Sequence, residues 1–189
     1  SLFVERITDC VASYHSLAVF YRPDCVSCHD IERAVLAWTF SAPSAVQPAR
    51  TITIPVCYDL SLALDLEALA GHCQLSVEEV ISRHTTPDYH VHFLGFKPGF
   101  AYLGGLDAGL SMPRHATPRL LLPAGSVGIG GSQTGIYPQA GPGGWQIIGR
   151  TPVSLFDPEQ TPPCRLQAGD SLRFTSIALD AYFALGGTS

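Results

Sequence analysis

A chain of 189 residues can form one large domain or two small ones, and either buries a real core. Charged residues are only 14% of the chain against the roughly 25% usual for soluble domains, and the formal net charge is -5, so part of the surface is expected to be covered by a partner. A single lysine and a pI near 5.7 leave no basic stripe for a phosphodiester backbone, and no apolar run nears the ~20 residues that span a bilayer, so nucleic acid and membrane are excluded as partners.

The opening SLFVERITDC has neither the charged nor the apolar region of a leader, which predicts a cytosolic, cytoplasmic protein. Residues 4–12 read equally as short helix or strand. Residues 16–21, SLAVFY, are a compact apolar run before Pro23, a strand feeding a helix over about 24–39. Cys25, Cys28 and His29 spell the CxxCH of c-type haem attachment. Ile31, Ala34, Val35 and Trp38 nevertheless fall on one helical face, so the cysteines read as first-turn residues and no haem is expected. The six cysteines lack a framework spacing and are expected as free thiols.

Residues 41–50, SAPSAVQPAR, have the composition of a linker. They separate a small α/β N-terminal domain, 1–49, from a second domain, 50–189. Residues 51–56, TITIPV, open the second domain as a strand. Asp65 starts an amphipathic helix through Leu66, Leu69, Ala70 and Cys73, and Ser76 caps another that carries Glu78 and Glu79 in its first turn and ends at His84. Beyond His84 the pattern changes to short strands between turns, at 89–96, 120–122, 146–148, 153–156 and 171–174. That spacing predicts a mainly β domain, a closed or nearly closed barrel.

Residues 95–152 hold 14 of the 18 glycines and 7 of the 15 prolines, interleaved with apolar pieces as disordered Gly/Pro tracts are not, so they read as an ordered functional surface. Their charges are Lys97, Arg114, Arg119 and Arg150 against Asp107 alone. An electropositive, glycine-lined patch on an acidic protein predicts a small anionic substrate. Asp88, His90 and His92 alternate along one strand, a metal-site spacing, but no second ligand cluster accompanies them and no metal is expected. Ser126 lacks the first glycine of GxSxG, GSVGIGGSQTG lacks the third glycine of GxGxxG, and no Walker loop occurs, so no autonomous nucleotide site is expected.

Among single residues, His84 stands where an imidazole could titrate near neutrality. Arg114 and Arg119 bracket HATP, stiffened by Pro113 and Pro118. Gln133, Thr134 and Tyr137 offer amide and hydroxyl groups, Trp145 is either core or a stacking wall, and Lys97 reads as an exposed turn lysine.

Three blocks, GFKPGFAYLGGL, PRHATPRLLLPAGSVGIGGSQTGIYP and PGGWQIIGRTPVSLFDP, resemble the family variously called 5-oxoprolinase B subunit, KipI or allophanate hydrolase subunit 1, with a likeness running over residues 16–174. The resemblance implies a cyclophilin-like β-barrel from residue 50 onward. It also implies work with two further 5-oxoprolinase subunits, a homologous one called C and a third called A, which together open 5-oxo-L-proline to L-glutamate using ATP held at or with the partner. Members named KipI inhibit a sensor histidine kinase instead, and the same domain pair occurs in urea carboxylase, so a urea or allophanate role is the further alternative. On this resemblance Arg114 and Arg119 hold carboxylate or phosphate, His84 moves a proton, and Gln133 with Tyr137 orients the amide. Pro98, Gly99, Phe100, Tyr102, Thr134, Trp145 and Arg150 complete the expected substrate site. The family begins with a further strand and helix, so the N-terminal domain is expected to be incomplete, and the ending TSIALDAYFALGGTS matches no family pattern.

Overall fold

The structure is a computed structural model that describes residues 6–37 and 50–188. Its contacts divide the chain into two compact units between Pro48 and Ala49. The expected linker lies outside the described residues except for Arg50, as do Trp38 and Thr39 of the expected first helix.

In the first unit β1 (Ile7–Ala12) and β2 (Leu17–Tyr21) pair as an antiparallel hairpin, which settles the ambiguous N-terminal segment as strand. Helix α1 (Cys28–Leu36) begins later than its sequence suggests, because the Ser27 hydroxyl accepts the Asp30 N–H at 3.2 Å and so caps it. Cys25 therefore precedes the helix and only Cys28 sits in its first turn. Ile31 is buried as expected of the apolar face, whereas Val35 is exposed.

The second unit contains β3 (Thr51–Cys57), α2 (Leu66–Cys73), α3 (Val77–Thr85), β4 (Tyr89–Leu94), β5 (Ala101–Gly104) and a single 3-10 turn (Ala108–Leu110). There follow β6 (Arg119–Leu122), β7 (Ser126–Gly130), β8 (Gln133–Ile136), β9 (Gly141–Gly143), β10 (Gln146–Arg150), β11 (Ser171–Ile177) and α4 (Leu179–Ala184). Seven strands close a barrel in the order β10-β3-β11-β4-β5-β8-β7, antiparallel throughout except for the parallel β3–β11 pair. The protein is thus mainly β, as its strand spacing predicts. Alternate residues point inward: Ile54 and Val56, Leu172 and Phe174, Val127 and Ile129 are all buried in one core. Leu66 and Leu69 of α2 and Val80 of α3 join that core, with α2 beside β10 and α3 beside β11. Ser76 and Glu79 form a reciprocal capping box that fixes the start of α3.

Two expectations are corrected. Residues 153–156 form no ladder, because the Val153 N–H turns back to the Thr151 hydroxyl and only an isolated bridge joins Phe156 to Cys164. The glycine-rich turns also contain more strand than the sequence shows: β7 and β8 pair in register within the barrel, while β9 pairs with β6 as a separate two-stranded ribbon. No helix among the described residues is long and apolar enough to cross a membrane.

Candidate functional site

Beside the barrel core lies a second buried cluster, Phe100, Leu122, Tyr137, Trp145 and Ile147. Two glycines make room for its aromatic rings. A Cβ on Gly130 would stand 2.6 Å from the Trp145 indole nitrogen, and one on Gly143 would stand 2.5 Å from the Tyr137 hydroxyl. Phe100 meets both Tyr137 and Trp145 edge to face with ring centres 5.6 Å apart. Above these rings opens a cleft of about 310 Å³. Phe96, Phe100, Tyr102, Tyr137 and Trp145 give it aromatic walls, and Arg114, His115, Pro118, Gly143 and Gly144 close the opposite side.

The residues on that side are held from two directions. The His115 N–H donates to the Gly144 carbonyl at 2.7 Å, and the Gln146 side-chain amide donates to the Pro113 carbonyl at 2.8 Å. The segment from Pro113 to His115 is thereby tied to Gly144 and Gln146, the two neighbours of Trp145 in the chain. At the rim, Phe96 adopts a left-handed backbone, φ 69°, and is 62% exposed; such a conformation is strained for an aromatic residue and is found most often at functional sites.

The two bracketing arginines part company here. Arg114 places its guanidinium 5.7 Å from the Trp145 ring centre and forms no ion pair with a carboxylate among the described residues. It is an exposed cation at the mouth of an aromatic cleft. Arg119 is instead spent on Asp65, reaching both carboxylate oxygens at 2.6 and 2.8 Å. Burial alone would raise the Asp65 carboxyl, but hydrogen bonds from Arg119 and the Ile147 N–H outweigh it and hold the group below the usual carboxylate range. Arg119 is therefore a clamp beneath the cleft and not a free anion receptor, which corrects the sequence expectation.

His84 is corrected too. Its ring is fully buried in the barrel, stacked on Phe174 at 4.5 Å, and burial pushes its pKa down to about 3. The Thr134 hydroxyl donates to the Gly128 carbonyl, so it accepts the proton of His84 Nε2 at 3.0 Å, and the Tyr58 hydroxyl donates to Nδ1 at 2.8 Å. A neutral, sealed imidazole with both nitrogens satisfied does not exchange protons near neutrality. Thr134 is equally buried in this network and lines no cleft.

Of the remaining expected residues, Phe100, Tyr102, Tyr137 and Trp145 meet in the cleft. Burial raises the Tyr137 phenol, so it faces the cleft protonated. Gln133 opens β8 away from the cleft, and Pro98 and Gly99 line a separate shallow hollow with Leu94 and Cys164. Arg150 is 6% exposed; its Nη1 donates to the Thr188 carbonyl at 2.9 Å, and its Nε has no partner among the described residues. The sequence reading missed His115 and Asp65. Only the spacing of His115 from Arg119 hinted at the first, and nothing local marked the second.

Many glycines of the glycine-rich stretch serve the strands. Gly128, Gly130, Gly135 and Gly149 are buried in strands against side chains or backbone, and Arg114 is the sole cation in the cleft lining. A triphosphate, which needs several cations or exposed N–H groups, does not fit this set. Just before β4, Asp88 is engaged by Arg173 through two hydrogen bonds of 2.8 and 2.9 Å, and His90 and His92 meet each other along the strand that follows.

Residues 2–166 match the family model described as carboxyltransferase domain, subdomain C and D. The chain is 48% identical over 173 residues to the 5-oxoprolinase B subunit of Escherichia coli O157:H7, covering 90% of this chain and 78% of that protein. It is 51% identical over 135 residues to the 5-oxoprolinase B subunit of Bacillus subtilis (strain 168), covering 71% of this chain but only 56% of that one. Its fold is similar to a region of the Kluyveromyces lactis urea carboxylase, with a TM-score of 0.78 at 18% identity, over 95% of this chain and 19% of that one.

Proposed function

We propose a function on the ground that this chain belongs to the carboxyltransferase domain family, subdomains C and D, alongside the 5-oxoprolinase B subunits. On this reading it is the B subunit of an assembly that hydrolyses 5-oxo-L-proline to L-glutamate with ATP, and it is active only with partner subunits. Two waters are consumed, one opening the ring amide and one receiving the phosphoryl group released from ATP. ATP is assigned to the partner side, in keeping with the single cation of the cleft lining.

The observation that carries the reading is Arg114. An unpaired guanidinium beside edge-to-face aromatic walls suits a small flat ring bearing a carboxylate: the walls take the ring face and the cation takes the anion. On β6, Leu120 and Leu121 are 91% and 69% exposed, an apolar pair that a partner would cover.

The test is to mix the protein with homologues of the 5-oxoprolinase A and C subunits, ATP and 5-oxoproline, and to follow glutamate. Release that requires ATP and all three chains is expected, with Arg114→Ala lowering kcat/KM about ten- to a hundred-fold, the worth of one charged hydrogen bond. No release with 5-oxoproline would overturn the reading. Turnover of urea or allophanate in its place, or capture of a sensor kinase, would assign the cleft to one of those roles.

A further inference from the structure

The cleft contains a histidine whose protonation pattern is set by its neighbours. His115 Nε2 lies 2.9 Å from Arg119 Nη1 and 3.3 Å from Asp65 Oδ1. A guanidinium only donates and does not lose its proton at any working pH. With Arg119 the nearer neighbour and already anchored to both Asp65 oxygens, Nε2 is left to accept. An imidazole that accepts at Nε2 and is neutral carries its proton at Nδ1. Nδ1 has no partner among the described residues, the side chain is 30% exposed, and the ring lines the cleft beside Arg114.

The geometry assigns His115 as a neutral hydrogen-bond donor to a ligand oxygen in the cleft, held in its Nδ1–H form by the Arg119–Asp65 clamp. Arg119 and Asp65 are then positioning residues that act through His115. With Nε2 occupied by the Arg119 N–H, the ring has its Nδ1–H to offer to a carbonyl or carboxylate oxygen. The pair Arg114 and His115 thus offers one charged and one neutral donor, which suits a ligand with both a carboxylate and an amide carbonyl. That ligand assignment rests on the proposed function, whereas the tautomer does not.

Two measurements test this. In the full chain labelled with nitrogen-15 at histidine, the His115 ring signals, identified by their loss in His115→Ala, should show a protonated Nδ1 and an unprotonated Nε2 at neutral pH. An Nε2–H tautomer or an imidazolium would overturn the assignment. In the assembly with 5-oxoproline, His115→Asn places an amide N–H near the Nδ1 position and should recover most of the turnover. His115→Ala and His115→Gln should each lose about tenfold or more in kcat/KM. Equal loss in all three variants, or loss in none, would overturn the donor role. If the wild-type assembly releases no glutamate, the proposed function fails while the nitrogen spectra still decide the tautomer.

Discussion

His84 and His115 show how burial and neighbours assign opposite tasks to one side chain. The sealed His84 has a pKa near 3 against 6.5 for a free imidazole, so the unfolded chain takes up the proton first. Its contribution to stability is complete above about pH 6.5 and is lost as pH falls toward 3, by up to about 1.4 kcal/mol per pH unit. Urea midpoints measured across that window should fall with pH in the wild type and fall less steeply in His84→Gln; identical slopes would contradict the sealed neutral ring. The arginines are expected to divide likewise. Arg119→Ala strands the buried Asp65 carboxylate and should lower stability by about 3 kcal/mol in denaturant titration, while Arg114→Ala should leave the midpoint unchanged. In sequence Arg114 read as a candidate anion receptor from its Pro-stiffened setting, and the structure places it exposed in the cleft lining. Its neighbour Arg119 looked the same in sequence, because the acid that claims it lies 54 positions away, where Asp65 read only as a helix start.

Among the elements, those with local signals were the readable ones. Ser76 with the acidic first turn behind it announced α3, and the alternating residues of β3 and β11 were equally plain. Hidden were β7, β8 and β9, whose glycines read as turns because the need for them is not local. Gly130 and Gly143 are small so that Trp145 and Tyr137 can lie against them. Gly130→Ala should therefore push the indole aside, costing about 1–3 kcal/mol and shifting Trp145 fluorescence. An unperturbed spectrum and midpoint would mean that the glycine does not shape the cleft wall.

At the scale of the molecule, the β class and the barrel were visible in the rhythm of short strands. The cleft was not, since its walls come from segments near residues 96–102, 114–118, 137 and 142–145 that only closure of the fold brings together. Leu120 and Leu121 are exposed on β6, and on the proposed reading a partner covers them. Leu121→Asp should weaken assembly with the 5-oxoprolinase C homologue, read by co-purification, while leaving the isolated chain as stable as before; undiminished assembly would place the contact elsewhere. Binding of a small carboxylate ring by Arg114 and the aromatic walls is tested most directly by titrating 5-oxoproline into the assembled subunits carrying Trp38→Phe in this chain and following the Trp145 emission. A saturable change that Arg114→Ala abolishes is expected, and an identical response in the two proteins would contradict that role for Arg114.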